Sequence, residues 1–218
     1  GEYSALVAAG GLKFADAVQL VRKRGRYMQE AVSAGEGAMA ALLRLPEGKL
    51  DDVLAQAAQG QVVTAANLNS PDQVVIAGHA GAVQRAIELA KAAGARRAVL
   101  LPVSAPFHCP LMLPAQERLA VDLEQTGFSD LCCPLVNNVR AEMIRTGAEA
   151  RRGLIDQVTS PVRWTETIRV LAANGCGTFV ETGPGGVLSG LLRGIDPALK
   201  ALKFGEAEEL EKLQEALG

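Results

Sequence analysis

Two side chains in this sequence of 218 residues stand where chemistry could use them. His108 is one of only two histidines and lies in Ser104-Ala105-Pro106-Phe107-His108-Cys109-Pro110, a loop stiffened by prolines ahead of a helical segment. Fixed φ angles at the prolines hold the loop, and an imidazole held in place is suited to general base work. On an ordinary loop the same residue is only a solvated side chain, so both readings stand. Arg24 sits where a helical period expects an apolar residue. Its guanidinium either snorkels to solvent or meets an anion in a pocket, which is costly unless the charge is paired. A carboxylate is the anion that its two parallel N–H groups fit best. His79, at the start of a helix after a strand, reads as structural.

Other motifs point away from common chemistries. Gly183-Pro184-Gly185-Gly186 lies between a strand and a helix, where free amides attract anions. Leu188 stands where a dinucleotide fingerprint wants glycine, and no Walker lysine follows, so a tight turn is the simpler reading. No group of His, Cys, Asp and Glu has metal-ligand spacing. Cys109, Cys132, Cys133 and Cys176 show no C-x-x-C spacing, and the vicinal pair does not suggest a secreted framework, which favours a reducing cytosol. A G-x-S-x-G elbow, the usual carrier of a serine nucleophile on an α/β sheet, is absent from the chain.

The elements that would position these residues follow from periodicity. Ala17, Leu20, Val21, Met28 and Ala31 predict one apolar helical stripe over 14–32. Residues 37–103 carry their own rhythm: an apolar run from Ala38 to Leu45, a helix to about Gln59, and β-branched runs at Gln61–Leu68 and Gln73–Ala77. The Asn69-Ser70-Pro71-Asp72 turn splits those two runs. A helix over Val83–Gly94 and a strand at Arg97–Val103 complete a β-α-β-β-α-β, ferredoxin-like plan. Beyond Ser104 the pattern predicts a helix to Gln125, a strand at Leu135–Val139, helices over Ala148–Val158 and Pro161–Asn174, and a strand at Thr178–Glu181. Helices at Val187–Arg193 and Glu206–Leu217 follow. Strands alternating with helices predict α/β layers with a mostly parallel sheet.

About half the residues are apolar, 49%, enough for one sizeable core with a smaller unit. The formal charge of −2 gives no general field for nucleic acid or an anionic membrane, so any anion site is local. No apolar run approaches the ~18 to 20 residues that span a bilayer, and the N-terminus lacks the order of a signal peptide.

Several segments, in the same order, resemble the malonyl-CoA:acyl carrier protein transacylases of the acyltransferase family of fatty-acid and polyketide synthesis. They are GEYSALVAAG at 1–10, the stretch from Arg22 to Glu30, GAMAALL at 37–43, ANLNSPDQVVIAG at 66–78, SAPFHCPLM at 104–112, LVNNV at 135–139, SPVRWTETI at 160–168 and ETGPGGVLSGL at 181–191. The resemblance implies an α/β-hydrolase-like large subdomain, incomplete here, formed by 1–35 and 104–218, with an inserted ferredoxin-like small subdomain at 36–103. It implies transfer of malonyl from malonyl-CoA to the phosphopantetheine thiol of acyl carrier protein, through a serine ester and without a cofactor or metal. Gly1-Glu2 matches the end of the family's Gly-His-Ser-Leu-Gly-Glu motif, which places the serine two residues ahead of Gly1 and makes the chain alone inactive. Ser4 falls inside the following helix and is no substitute.

By the same resemblance His108 is the base and then the acid, and Arg24 holds the malonyl carboxylate. Gln157 supplies the main-chain carbonyl that orients the histidine, and Phe107 sits at a position linked with extender choice. The partners implied are malonyl-CoA and acyl carrier protein, with neither nucleic acid nor membrane, in the cytoplasm. Two other readings use the same residues. A non-catalytic module that binds carrier protein or CoA needs no serine, and an esterase shares serine and histidine.

Overall fold

Two helices open the chain, α1 (Glu2–Ala8) and α2 (Phe14–Glu30), in a computed structural model that describes residues 1–217. Gly218, the end of the expected 104–218 segment, lies outside them. Ala17, Leu20 and Met28 are buried on α2 as their spacing requires. Val21, assigned to the same stripe, is 47% exposed, and Tyr27 is buried instead. Tyr27 can do this because its ring has a polar tip with a partner: the hydroxyl donates to Asp122, 2.8 Å away.

The next segment builds a sheet from β1 (Gly37–Leu43), β2 (Val63–Ser70), β3 (Gln73–His79) and β4 (Arg97–Leu100), with α3 (Leu50–Ala58) and α4 (Ala80–Ala92) as connections. The strand order is β2-β3-β1-β4 with every pairing antiparallel, the ferredoxin-like arrangement. Pro71 and Asp72 close the β2–β3 hairpin, and the Asp72 carbonyl accepts the Arg44 amide at 2.8 Å. Alternation sends Ala40, Leu42 and Ile76 to one face, where they pack with Val53 of α3 and Val83 and Ile87 of α4. Met39, Val75 and Ala77 face the other way and pack with Cys109.

His79 ends β3 in a structural role. Its amide donates to the Val62 carbonyl at 2.8 Å, and its Nδ1 accepts the Val62 amide at 2.9 Å. Gly78 beside it is obligatory, because a Cβ there would fall on the Val62 carbonyl.

After a 3₁₀ turn at Pro110–Met112 come α5 (Leu113–Gln125), β5 (Leu135–Val136), β6 (Met143–Ile144), α6 (Gly147–Asp156) and α7 (Trp164–Ala173). The strand expected at Leu135–Val139 stops after two residues. Asn137 is the cause: its Oδ1 accepts the Arg140 amide at 3.0 Å and the Glu142 amide at 3.4 Å, folding the chain back as the antiparallel β5–β6 pair. Thr146 and Glu149 form a capping box that starts α6. Leu6, Leu20, Met28, Met112, Leu119 and Leu154 interlock α1, α2, α5 and α6 around one core.

Compactness divides the chain between Thr167 and Ile168, a place the sequence pattern does not mark. The second unit holds β7 (Thr178–Thr182), α8 (Val187–Ile195), β8 (Lys200–Phe204) and α9 (Leu210–Leu217). β7 and β8 run parallel with α8 in the crossover between them. Among the described residues this is the parallel strand pair, apart from an isolated Asn67–Val162 bridge, so the mostly parallel sheet is not observed. The sheet at 37–100 is antiparallel because hairpin and ferredoxin-like connections require it. No helix among the described residues is long and apolar enough to cross a membrane.

Candidate active site

The loop carrying His108 is pinned on both sides of the imidazole. Pro106 and Cys109 are fully buried, and the Cys109 thiol donates to the Pro106 carbonyl at 3.1 Å. Phe107 packs into two cores at once, the helical one and the one under the sheet. Between these anchors His108 adopts φ 59°, a left-handed conformation that costs a non-glycine residue about 1–3 kcal/mol. A surface loop would relax out of it. Here the buried neighbours hold it.

The His108 Nδ1 lies 3.0 Å from the main-chain carbonyl of Gln157. A carbonyl can only accept, so Nδ1 carries the proton and Nε2 presents a lone pair, the tautomer a general base needs. Burial holds the imidazole below its ordinary pKa; the Arg24 charge pushes the same way, while the Gln157 and Ser160 backbone opposes. A neutral imidazole is the outcome at pH 7.

Gln157 ends α6, where its amide donates to Gly153 at 2.9 Å. Its buried side chain donates to the Ser160 carbonyl at 2.9 Å and the Pro161 carbonyl at 3.2 Å. Those bonds tie the turn while the Gln157 carbonyl stays on His108. The Oε1 of Gln157 is buried without a partner.

Arg24 is half-buried on α2 and enters none of the salt bridges among the described residues. Its charge acts on His108, Glu2 and Tyr3, so the structure brings Arg24, His108 and Gln157 into one neighbourhood.

Two residues of that neighbourhood escaped the reading from sequence. Glu2 directs Oε2 at the Asn138 amide, 3.2 Å away, and leaves Oε1 buried without a partner. Burial raises its pKa, against the pull of the Asn138 amide and of positive charges that include Arg24. Tyr3 buries an unpartnered hydroxyl, which burial pushes up to about 12. Their one signal was position: both lie in the GEYSAL segment, in the first turn of α1.

The Gly183–Gly186 turn resolves differently. The Glu181 carboxylate accepts the Leu188 amide at 2.9 Å, the Ser189 amide at 2.8 Å and the Ser189 hydroxyl at 2.7 Å. Desolvation alone would raise its pKa, yet the Ser189 and Leu188 bonds bring it below the ordinary value. An internal carboxylate thus takes the place a phosphate would use at the start of α8. Among the described residues no group of three or more His, Cys, Asp or Glu could hold a metal.

A buried histidine with a free Nε2, oriented by a main-chain carbonyl rather than by a carboxylate and within range of the Arg24 charge, is able to move a proton at an acyl group. A family model of the acyl transferase domain matches residues 1–210, and the chain belongs to that family. Its relatives narrow the class. The chain is 50% identical over 206 residues to the malonyl CoA-acyl carrier protein transacylase of Escherichia coli O157:H7, covering 94% of this chain and 67% of that protein. The structure of the malonyl CoA-acyl carrier protein transacylase from Coxiella burnetii superposes with a TM-score of 0.97 at 46% identity, over 100% of this chain and 69% of that one. A malonyl-transacylase solved in complex with its type II polyketide acyl-carrier protein gives 0.96 at 45% identity, over 99% of this chain and 70% of that one. The chain therefore spans about two thirds of the length of the relatives it matches.

Proposed function

We propose that this chain carries the base and the carboxylate clamp of a malonyl-CoA:acyl carrier protein transacylase of fatty-acid synthesis, acting in the cytoplasm without a cofactor. The observation that carries the proposal is a single imidazole that bonds the Gln157 carbonyl through Nδ1 and feels the Arg24 charge. In the family motif the acyl carrier is a serine two residues ahead of the position that Gly1 matches. His108 Nε2 takes the proton from that hydroxyl as its oxygen attacks the thioester carbonyl. Collapse of the tetrahedral adduct expels the CoA sulfur, which receives the proton from His108. The carrier protein's phosphopantetheine thiol then gives its proton to the same nitrogen and attacks the serine ester, and the serine oxygen is reprotonated as it leaves.

Arg24 pairs with the free carboxylate of malonyl through two parallel hydrogen bonds. Having no salt-bridge partner of its own, it loses none on binding. Gln157 holds the imidazole in the productive tautomer, a task the carboxylate performs in a Ser-His-Asp triad. Residues 36–103 serve as a small subdomain forming one wall of the cleft, with 1–35 and 104–218 in the large one.

Intact-mass analysis after incubation with malonyl-CoA tests the assignment. Residues 1–218 alone should gain no malonyl group, and a chain extended upstream through the serine should gain one. A serine-linked malonyl adduct on residues 1–218 would refute the placement of the nucleophile. Hydrolysis outrunning transfer to carrier protein would identify an esterase instead.

A further inference from the structure

With no salt bridge of its own among the described residues, Arg24 is aimed by the helix that carries it. One turn of that helix, α2, is gripped from α5. Lys23 Nζ lies 2.5 Å from Asp122 Oδ1, and the Tyr27 hydroxyl donates to Asp122 Oδ2 at 2.8 Å. Residues four apart share a helix face, so one carboxylate spans a full turn, and Arg24 lies within that turn. The Asp122 side chain is only 15% exposed, and the two donors replace the water it has lost. Desolvation alone would raise its pKa, yet the Lys23 and Tyr27 bonds bring it below the ordinary value. Two guanidiniums also hold the Tyr27 ring: Arg118 of α5 lies 4.0 Å from its centroid and Arg26 lies 5.3 Å from it.

The same α5 is tied to the imidazole. It starts at Leu113, directly after the Pro110–Met112 turn that closes the His108 loop. Its Gln116 Oε1 accepts the Thr159 hydroxyl at 2.5 Å, in the turn that follows Gln157, whose carbonyl bonds His108 Nδ1. On the other side of the loop the Ser104 hydroxyl donates to Gln29 Oε1 of α2, 2.5 Å away. Gln116 thus steadies the carbonyl that orients the imidazole, and Asp122 steadies the helix that bears the arginine.

We propose that Asp122 is the positioning residue of the carboxylate clamp: by gripping Lys23 and Tyr27 together it sets the rotation of α2 that turns Arg24 toward His108. This rests on the reading of Arg24 as the group that binds the malonyl carboxylate. Side chains reach about 5–6 Å from a helix axis, so a rotation of about 10° carries a tip through about 1 Å. A displacement of that size breaks a hydrogen bond. Attachment at two points resists such rotation, whereas either bond alone leaves a pivot.

NMR titration of His108 in the 218-residue protein reads the position of the arginine, because the Arg24 charge disfavours imidazolium. Asp122→Asn and Tyr27→Phe should each raise the His108 pKa, as Arg24→Met does, and neither should raise it further in the Arg24→Met background. The sign is diagnostic, since loss of the Asp122 charge acting through space would lower that pKa. In the serine-containing enzyme each variant should raise the KM for malonyl-CoA about tenfold, the worth of one charge-assisted hydrogen bond, and change acetyl transfer far less. Glu30→Gln, which removes the exposed bridge to Arg118 between the same two helices, should leave both readouts in place.

A His108 midpoint at or below the wild-type value in either variant, with its fold checked by circular dichroism, overturns the inference. So does an equal loss of malonyl and acetyl transfer, the mark of a strut that only stabilises the fold, or a matching rise in Glu30→Gln. Should Asp122→Asn fail to fold, Tyr27→Phe, which changes no charge, decides alone. If Arg24→Met itself keeps the malonyl preference, the clamp reading fails and takes this inference with it. A response to Arg24→Met without one to Asp122→Asn and Tyr27→Phe refutes the positioning role alone.

Discussion

Gly37→Ala should move the His108 loop without touching the histidine. Gly37 begins β1 directly against Pro106, whose ring is fully buried. A methyl group built on Gly37 would lie inside the van der Waals envelope of the Pro106 Cγ and Cδ, and 3.0 Å from its Cβ. Carbon atoms settle at about 3.5–4.0 Å, so strand and loop must part by about 1 Å. The proline cannot swing aside, because its ring is rigid and packed on all sides, and Gly37 is fixed by its pairing with His79. Overpacking of this kind costs about 1–3 kcal/mol. The shift falls two residues before His108, whose Nδ1 bond to Gln157 spans 3.0 Å and would not survive a 1 Å separation. In the serine-containing enzyme, misplacement on that scale corresponds to about a hundredfold loss of transfer rate. Urea unfolding gives the first quantity, and the Nδ1–H resonance of His108 reports the second. Gly25→Ala is the control: Gly25 lies within α2 with nothing within 4 Å of a Cβ. It should gain about 0.5–1 kcal/mol from helix propensity. If Gly37→Ala changes stability by less than about 0.5 kcal/mol, the scale of ordinary surface substitutions, and the His108 resonance stays in place, the packing argument is wrong.

Four further variants test the site. Arg24→Met should raise the His108 pKa, because a positive neighbour that disfavours imidazolium is gone; an unchanged or lower midpoint in an NMR titration would remove Arg24 from the site. The same variant in the serine-containing enzyme should lose malonyl transfer far more than acetyl transfer, and equal losses would argue against a clamp. Because the folded pKa of His108 is depressed, its stabilising contribution is present above the unfolded value near 6.5 and is lost as pH falls through the folded value; His108→Gln should flatten that limb in urea unfolding between pH 7 and 5. Glu2 has the opposite sign: its pKa is raised above 4.5, so its contribution is present below that value and lost as pH rises through the folded pKa. Glu2→Gln should therefore gain on the wild type as pH rises from 4 to 7, and a constant difference would show that the carboxylate is not desolvated. Gln157→Ala removes the donor to two main-chain carbonyls and should cost about 1–3 kcal/mol. It should also broaden the His108 Nδ1–H signal, and a sharp, unshifted signal would mean that the turn does not depend on that side chain.

Much of the architecture is written in local pattern. The β-branched runs on either side of Asn69–Asp72 specify the hairpin, and the switch to helical spacing at Val83 specifies α4. The ferredoxin-like order follows because few connections satisfy both. Local pattern misled where a side chain competed for the backbone. Asn137 ended a strand that the apolar residues 135–139 would have continued. Tyr27 displaced Val21 from the buried stripe because Asp122 was there to receive its hydroxyl. The strand Lys200–Phe204 escaped notice because its partner, Thr178–Thr182, is remote and parallel.

The sequence by itself determined which side chains are chemically able: the loop histidine, the arginine out of period and the ordered motifs of an acyltransferase. It also set the segments that would carry them, since periodicity and turn chemistry act over a few residues. Tertiary structure alone decided the protonation and the company of those side chains. The tautomer of His108 depends on a carbonyl 49 positions away, and its depressed pKa depends on burial and on a guanidinium carried by α2. The buried carboxylate of Glu2 gains meaning only beside Asn138. Desolvation and Coulomb interactions depend on distance in space, and that distance exists only once the chain has folded.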